Sequence, residues 1–286
     1  MPELPEVETI RRDLAGLLIG KRVASFVVSK PRLLKSPRPL FSRKLVGARF
    51  KRVSRRAKLL LFELSSGYTL FIHLKMTGQL VWRSRQGRLR AGGHPIVGVS
   101  EVPNRYTYVT IKLNDGSALY FNDVRQFGYL KLVPSGAVEH EFRHLGPEPL
   151  SADFSLTIFQ RQLARRSRTT IKAALLNQQV VAGIGNIYAD ESLFAACIRP
   201  GRRVSRLSKA DALKLRQSIR RVLARAVTSR GTSFSSYRDA HGQEGGYWSR
   251  RLVYGRAGSP CRRCGTAIVR TVVAGRGTHY CPKCQK

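Results

Sequence analysis

Acidic residues are scarce: 17 Asp and Glu stand against 52 Lys and Arg in 286 residues, a formal net charge of +35. A surface this one-sided repels itself unless a polyanion covers it, which sets aside most enzymes of small-molecule metabolism. Long hydrophobic runs are missing too. With no stretch of about 18 apolar residues, and with Met1-Pro2-Glu3-Leu4 forming neither a basic leader nor an apolar signal core, a soluble, non-secreted chain is expected. An anionic membrane surface would also suit the charge, but no long Lys-rich amphipathic helix with Trp or Phe on its other face occurs. Nucleic acid is therefore the expected partner. Cysteine is sparse and uneven: four of five fall in the last 26 residues, while Cys197 stands alone in Phe194-Ala195-Ala196-Cys197-Ile198. A disulfide framework is excluded on that count.

What is present, 42% hydrophobic and 8% aromatic residues, suffices for a sizeable core, and the length suggests two domains. Val7, Ile10, Leu14, Leu17 and Leu18 recur at helical spacing between Pro5 and Ile19, with Gly20 as a stop. Strand-like runs follow at 23–28, 59–64, 68–74, 106–113 and 118–121, and Ser65-Ser66-Gly67 and Asn114-Asp115-Gly116 punctuate hairpins between them. The first part reads as an antiparallel sheet, a sandwich. Residues 83–95, basic and glycine-containing, read as a mobile loop. After Pro134-Ser135-Gly136 and Gly146-Pro147-Glu148-Pro149 the periods become helical, at 154–163, 171–176, 187–196 and from Ser208, which with Asp211 has the form of a capping box. The expected organisation is a strand-rich domain at 1–132, a linker at 133–152, a helical domain at 153–232, and a loop with a cysteine module at 233–286.

Charge distribution supports phosphate tracking. Between Asp13 and Glu63 lie fourteen Lys or Arg and no acid, and after Glu244 nine more and again none, whereas solvated faces ordinarily mix signs.

Cys261-x2-Cys264-x16-Cys281-x2-Cys284 has the spacing of a tetrahedral four-cysteine zinc site on a β-hairpin. With four thiolates and no open position, one structural Zn2+ is expected, not a catalytic one. Gly275-Arg276-Gly277 would present an arginine at the hairpin turn. At the other end, Glu3, Glu6 and Glu8 crowd three of the 17 acids into six residues. They suit a helix N-terminus electrostatically, yet beside nucleic acid they would repel it unless they act on it. Pro2 supplies the chemistry: once Met1 is removed it is a secondary amine with a pKa near 8, able to attack a sugar C1′ and form an iminium. The iminium acidifies the C2′ proton and so permits strand cleavage, with Glu3 and Glu6 available as general acid and base. Gly183-Ile184-Gly185-Asn186 lacks the third glycine of a dinucleotide fingerprint, so no nucleotide cofactor is expected. It would instead offer helix N–H groups and the Asn186 amide to a phosphate. Met76 and Phe127 are apolar wedge types, and Arg125 would fill the hole left by an everted base.

Taken together, Met1-Pro2-Glu3-Leu4-Pro5-Glu6-Val7-Glu8-Thr9, the stretch from Gly183 to Glu191 and the terminal cysteine module resemble the formamidopyrimidine-DNA glycosylase family, related to endonuclease VIII, over nearly the whole chain. The resemblance implies an α+β multidomain fold: an N-terminal antiparallel β-sandwich flanked by helices, then a helix-two-turns-helix domain with a four-cysteine zinc-finger β-hairpin, and DNA between them. It implies a bifunctional glycosylase and AP lyase that removes 8-oxoguanine and formamidopyrimidines and then cleaves by β,δ-elimination. Pro2 would be the nucleophile, Glu3 the acid and Glu6 its support. Lys58, Asn186 and Arg276 would grip phosphates, Met76, Arg125 and Phe127 would intercalate, and Thr232 to Trp248 would close over the everted purine. The implied partner is damaged double-stranded DNA, the implied state a monomer in a bacterial cytoplasm, associated with the nucleoid. Gln126 departs from the family's Arg-Arg-Phe segment. Two rival readings remain: an endonuclease VIII-like preference for oxidised pyrimidines, and a non-catalytic zinc-containing DNA-binding protein.

Overall fold

The computed structural model describes residues 1–93, 101–232 and 245–286. The chain divides into two compact units, 1–143 with 229–246, and 144–228 with 247–286. Among the described residues no helix is long and apolar enough to cross a membrane.

The first unit opens with α1 (Leu4–Leu18), followed by β1 (Val23–Val28), α2 (Arg38–Lys44), β2 (Phe50–Arg56), β3 (Leu59–Leu64), β4 (Tyr68–His73), β5 (Gly78–Arg83), β6 (Leu89–Gly93), β7 (Thr107–Leu113), β8 (Ala118–Asp123), β9 (Tyr129–Pro134) and α3 (Val138–Glu141). Two antiparallel sheets result, ordered β1-β7-β8-β5-β6 and β2-β3-β4-β9. Their inner faces share one core, with Leu60, Phe62, Leu70 and Ile72 from the four-stranded sheet and Val109, Ile111, Leu119 and Phe121 from the five-stranded one. The expected sandwich is present. α1 closes an end of that core through Val7, Ile10, Leu14 and Leu18, the apolar stripe of its helical period.

The loop expected at 83–95 is shorter: Arg83 ends β5, 84–88 connect the strands, and 94–95 lie outside the described residues, while residues 89–93 form β6, paired with β5 from Gln79↔Gly93 to Arg83↔Leu89. Its glycines are a packing requirement. A Cβ on Gly92 would lie 2.7 Å from Ile10 Cγ1, so the glycine lets α1 press against the strand.

The second unit contains α4 (Leu156–Ala164), α5 (Ile171–Leu176), α6 (Asn186–Ala196), α7 (Lys209–Thr228), α8 (Tyr247–Arg250) and the hairpin β10 (Val269–Val273) with β11 (Arg276–Tyr280). Phe159, Leu175, Tyr188, Leu193, Leu215, Ile219 and Leu223 form its helical core. The capping box before α7 is made as expected: Asp211 N–H donates to Ser208 Oγ and Ser208 N–H to Asp211 Oδ2, both at 3.0 Å.

The structure divides the chain differently from the expected partition at 229–246 and within 133–152. The described residues at 229–232 and 245–246 belong with the sandwich, not with the helices or the cysteine module. Arg230 pairs with Asp13 at 2.7 Å, and Thr232 N–H donates to Glu6 Oε1 at 2.8 Å, so this returning segment is fastened to α1. Residues 133–134, expected in the linker, end β9.

Candidate active site

Pro2, Glu3, Glu6 and Lys58 are all buried in the first unit. Glu3 occupies the N-cap of α1 in extended conformation, and its N–H donates to Glu6 Oε2 at 2.8 Å. Because Glu6 Oε1 takes the Thr232 N–H, the Glu6 carboxylate ties the entry of α1 to the returning segment. Gly231 makes that tie with φ +83°, and a Cβ there would fall 2.9 Å from Glu6 Oε1, so only glycine fits. Glu8 faces elsewhere, accepting from Arg11, Arg12 and Arg55. Burial pushes its carboxyl up, but the hydrogen bonds from Arg11 and Arg12 outweigh this and hold it below the ordinary value. Arg55 also donates to Ala57 O at 2.7 Å, which braces the β2–β3 turn where Ala57 has φ +53° and presents Lys58.

The N-terminal ammonium lies in this same environment. Burial holds its pKa below 8.0; the Glu3 and Glu6 charges oppose that lowering and Lys58 adds to it. That ammonium is the one of Met1, so the bias toward the neutral form is at Met1 N, beside two carboxyl groups and a lysine.

Met76, Arg125 and Phe127 come together although 49 residues separate the first two. Arg125 Nη1 lies 3.3 Å from Met76 Sδ, and its guanidinium stacks 4.7 Å from the Phe127 ring centroid. Met76 is 42% exposed and Phe127 53%, an apolar pair presented to solvent. Gln126, between them, has φ +55°; its amide donates to Tyr108 Oη at 3.0 Å and accepts from Arg32.

Asn186 and Arg276 belong to the second unit. Asn186 begins α6, and its Nδ2 donates to Gly277 O at 3.0 Å, so one of its amide hydrogens is already used within the chain. Arg276 is exposed at the start of β11, just after a two-residue turn in which Ala274 and Gly275 both have positive φ, +51° and +68°. β11 is anchored from below by a pair that the sequence reading missed. Lys172 and Asp190, both 0% exposed, meet at 2.7 Å; Lys172 also donates to Thr278 Oγ1 at 2.8 Å, and Asp190 accepts the His279 N–H at 2.8 Å. Lys172→Met would leave Asp190 buried without its counter-charge, and a loss of about 3–5 kcal/mol is expected on equilibrium unfolding. The double variant Lys172→Met with Asp190→Leu is expected to recover much of it.

Cys261, Cys264, Cys281 and Cys284 bring their sulfurs within 4.8 Å of one another, with Cys264–Cys281 at 3.5 Å and Cys261–Cys284 at 4.0 Å. A tetrahedron with Zn–S bonds of about 2.3 Å has edges of about 3.8 Å, so the donor set fits one zinc. Arg263 N–H and Cys284 N–H point at Cys261 Sγ and Cys281 Sγ, both at 3.4 Å, and so favour the thiolates. Cys197 is no ligand: it ends α6 in left-handed conformation, and Arg263 Nη1 lies 2.8 Å from its sulfur.

A sandwich headed by a buried proline and acid, together with a helical unit bearing a zinc hairpin, has the architecture of a DNA base-excision enzyme, and comparison with known proteins makes the class specific. Residues 1–130 match the formamidopyrimidine-DNA glycosylase N-terminal domain, 145–238 its H2TH domain, and 258–286 the zinc finger found in FPG and IleRS. The chain is 44% identical over 288 residues to the formamidopyrimidine-DNA glycosylase of Symbiobacterium thermophilum, covering 100% of this chain and 89% of that one. To the enzyme of the same name from Herpetosiphon aurantiacus it is 43% identical over 287 residues, with both chains fully covered. Wild-type Lactococcus lactis Fpg in complex with an N7-benzyl-Fapy-dG DNA superposes with a TM-score of 0.88 at 34% identity over 100% of both chains. The complex of Lactococcus lactis Fpg with DNA containing an abasic site gives 0.88 at 33% identity over 99% of both. The chain belongs to the formamidopyrimidine-DNA glycosylase family.

Several residues that shape the site carried no sequence signal. Gly231 and Thr232 lie in a polar segment where nothing marks them as partners of Glu6; Lys172 and Asp190 sit in different helices with ordinary helical neighbours. Of the segment expected to close over the base, 233–244 lie outside the described residues.

Proposed function

We propose that the chain is a bifunctional DNA glycosylase and AP lyase that removes oxidised purines, 8-oxoguanine and formamidopyrimidines, from duplex DNA. The observation that carries this reading is the burial of Pro2, Glu3, Glu6 and Lys58 beside the N-terminus, where the charges of Glu3, Glu6 and Lys58 all act on the Met1 ammonium. After removal of Met1, the Pro2 nitrogen donates its electron pair to C1′ and the glycosidic bond breaks toward the base. Glu3 protonates the sugar ring oxygen as the ring opens. The resulting iminium draws electrons from C2′–H, and loss of that proton expels the 3′ phosphate; a second elimination expels the 5′ phosphate, and water releases the enzyme. Glu6 supports Glu3 by holding its N–H. Lys58, Asn186 and Arg276 grip phosphates, and Met76, Arg125 and Phe127 occupy the space the base leaves. The zinc held by Cys261, Cys264, Cys281 and Cys284 contributes rigidity to the hairpin and no chemistry at the sugar. The enzyme acts as a monomer in the bacterial cytoplasm, on nucleoid DNA.

Borohydride reduction during reaction with a duplex carrying 8-oxoguanine opposite cytosine is expected to give a covalent adduct that maps to the peptide beginning at Pro2. Tight binding without an adduct would instead identify a non-catalytic DNA-binding protein. An adduct formed preferentially on an oxidised-pyrimidine duplex would place the chain with endonuclease VIII in specificity.

A further inference from the structure

We propose that Thr77 and Asp123 are positioning residues that lock the Met76 loop and the Arg125–Phe127 loop into one rigid wedge. The inference deepens the reading above, since it concerns how the same site opens a duplex.

The topology sets the two loops side by side. The chain leaves the four-stranded sheet at β4 and enters the five-stranded sheet at β5, then makes the reverse crossing from β8 to β9. Because β4 pairs with β9 and β5 with β8, the two crossings are neighbours; His73 faces Tyr129 and Gly78 faces Asp123. Met76 rides on the first crossing, Arg125 and Phe127 on the second.

A single buried hydroxyl joins them. Thr77 Oγ1 donates to Asp123 Oδ1 and accepts the Arg125 N–H at 3.0 Å, so it meets both ends of the second loop's first turn. The other carboxylate oxygen, Asp123 Oδ2, accepts the Gly128 N–H at 2.6 Å, closing the loop at its far end. Asp123 is 0% exposed, and its carboxylate is met by dipoles: the Thr77 hydroxyl, Gly128 N–H and, at 3.3 Å, Arg125 N–H. A buried carboxylate supplied this way is satisfied in one arrangement only, so displacing either loop would strip it of donors. Two glycines remove the remaining slack. A Cβ on Gly78 would lie 2.3 Å from Leu74 O, and one on Gly128 2.5 Å from Phe121 Cζ and 3.0 Å from His73 O.

The physical reason to build this is load. Met76 and Phe127 are exposed apolar side chains on loops, and side chains that separate stacked bases must do so against several kcal/mol of stacking. A loop that yields would fold back instead of opening the stack. Tying both loops to one buried carboxylate makes the three tips advance together.

The test uses the full-length protein with Thr77→Val, which keeps shape and removes both hydroxyl bonds, and Thr77→Ser, which restores them. A duplex with 2-aminopurine beside 8-oxoguanine reports unstacking by fluorescence whether or not chemistry follows. Thr77→Val is expected to slow that fluorescence rise and the excision of 8-oxoguanine in parallel, by about 10- to 100-fold, with cleavage of a single-stranded abasic oligonucleotide within about twofold of the parent. Thr77→Ser is expected to regain the parent's values on all three. Asp123→Asn, which keeps the volume and loses the charge, is expected to fall between. The proposal is wrong if Thr77→Val unstacks the duplex as fast as the parent. It is equally wrong if Thr77→Val loses duplex and single-strand activities alike and Thr77→Ser does not restore them. Failure of the underlying reading looks different: the parent itself would then excise nothing and form no borohydride adduct.

Discussion

Glu3→Gln is expected to reduce excision of 8-oxoguanine by about 10²–10⁴-fold, the range for loss of a general acid, with DNA affinity changed by no more than about threefold. Gln matches Glu in volume, so the buried site at the head of α1 keeps its packing, and the backbone N–H of residue 3 still reaches Glu6 Oε2. What disappears is the proton that, in the proposed mechanism, the carboxyl group gives to the sugar ring oxygen. Single-turnover excision kinetics beside an anisotropy titration separate the two quantities, because a group that acts only on the reacting sugar alters kcat and leaves ground-state binding almost untouched. Equal losses in both would mean that residue 3 serves binding or folding instead. The effect is predicted for this acid and not for Glu8, whose carboxylate is already engaged by Arg11, Arg12 and Arg55. For Glu6 a different outcome is expected, since both its oxygens hold backbone N–H groups. Its loss should loosen the 229–232 segment and lower stability along with activity.

How far the sequence revealed this arrangement depended on where the determining contacts lie. Val23–Val28, Leu59–Leu64 and Ile171–Leu176 were legible to the residue, since their apolar runs are bounded by local turn or cap residues. Phe50–Arg56 and Leu89–Gly93 were not. Both carry the arginines and lysines, or the glycines, of a loop, and they become strands because β3 and β5 supply a hydrogen-bonding edge that no local window contains. The cysteine module was legible because metal chemistry writes itself into spacing. Met76, Arg125 and Phe127, expected to intercalate, were marked by residue type and by family resemblance but not as neighbours; what gathers them is the paired crossing between sheets. Thr77 and Asp123 show the limit. A threonine after a methionine and an aspartate at a strand end are unremarkable in any window, and their meaning appears only when β5 meets β8. The reassignment of 229–232 has the same origin, because Glu6 and Thr232 are 226 positions apart.

Removing zinc, by chelation under mild denaturation or through Cys264→Ser, is expected to unfold the β10–β11 hairpin while the sandwich persists. Among the described residues only β11 of its two strands is otherwise held, through Lys172, Asn186 and Asp190. β10 is almost wholly exposed, and the apolar cluster beneath it consists of Phe194, Val253 and Ile268 with two of the cysteine ligands, Cys261 and Cys281. Two five-residue strands of that kind are marginal in water, whereas zinc binding to such ligand sets contributes about 10–16 kcal/mol at neutral pH. The Lys172–Asp190 pair holds Gly277, Thr278 and His279 at the strand's inner face, but it cannot set the turn that displays Arg276 once the strands part. Affinity for lesion duplex is therefore expected to fall by about 10- to 100-fold, as the phosphate contact proposed for Arg276 is lost together with those of the neighbouring arginines of the module. The loss should appear in Kd and KM, and single-turnover excision at saturating protein should remain within about threefold, since a metal held by four thiolates has no open position for chemistry. Zinc analysis, proteolytic cleavage within 262–276 and anisotropy titration on the same samples test each step. A metal-free protein that keeps its hairpin protected and its affinity intact would show that the helical unit, not the metal, supports Arg276.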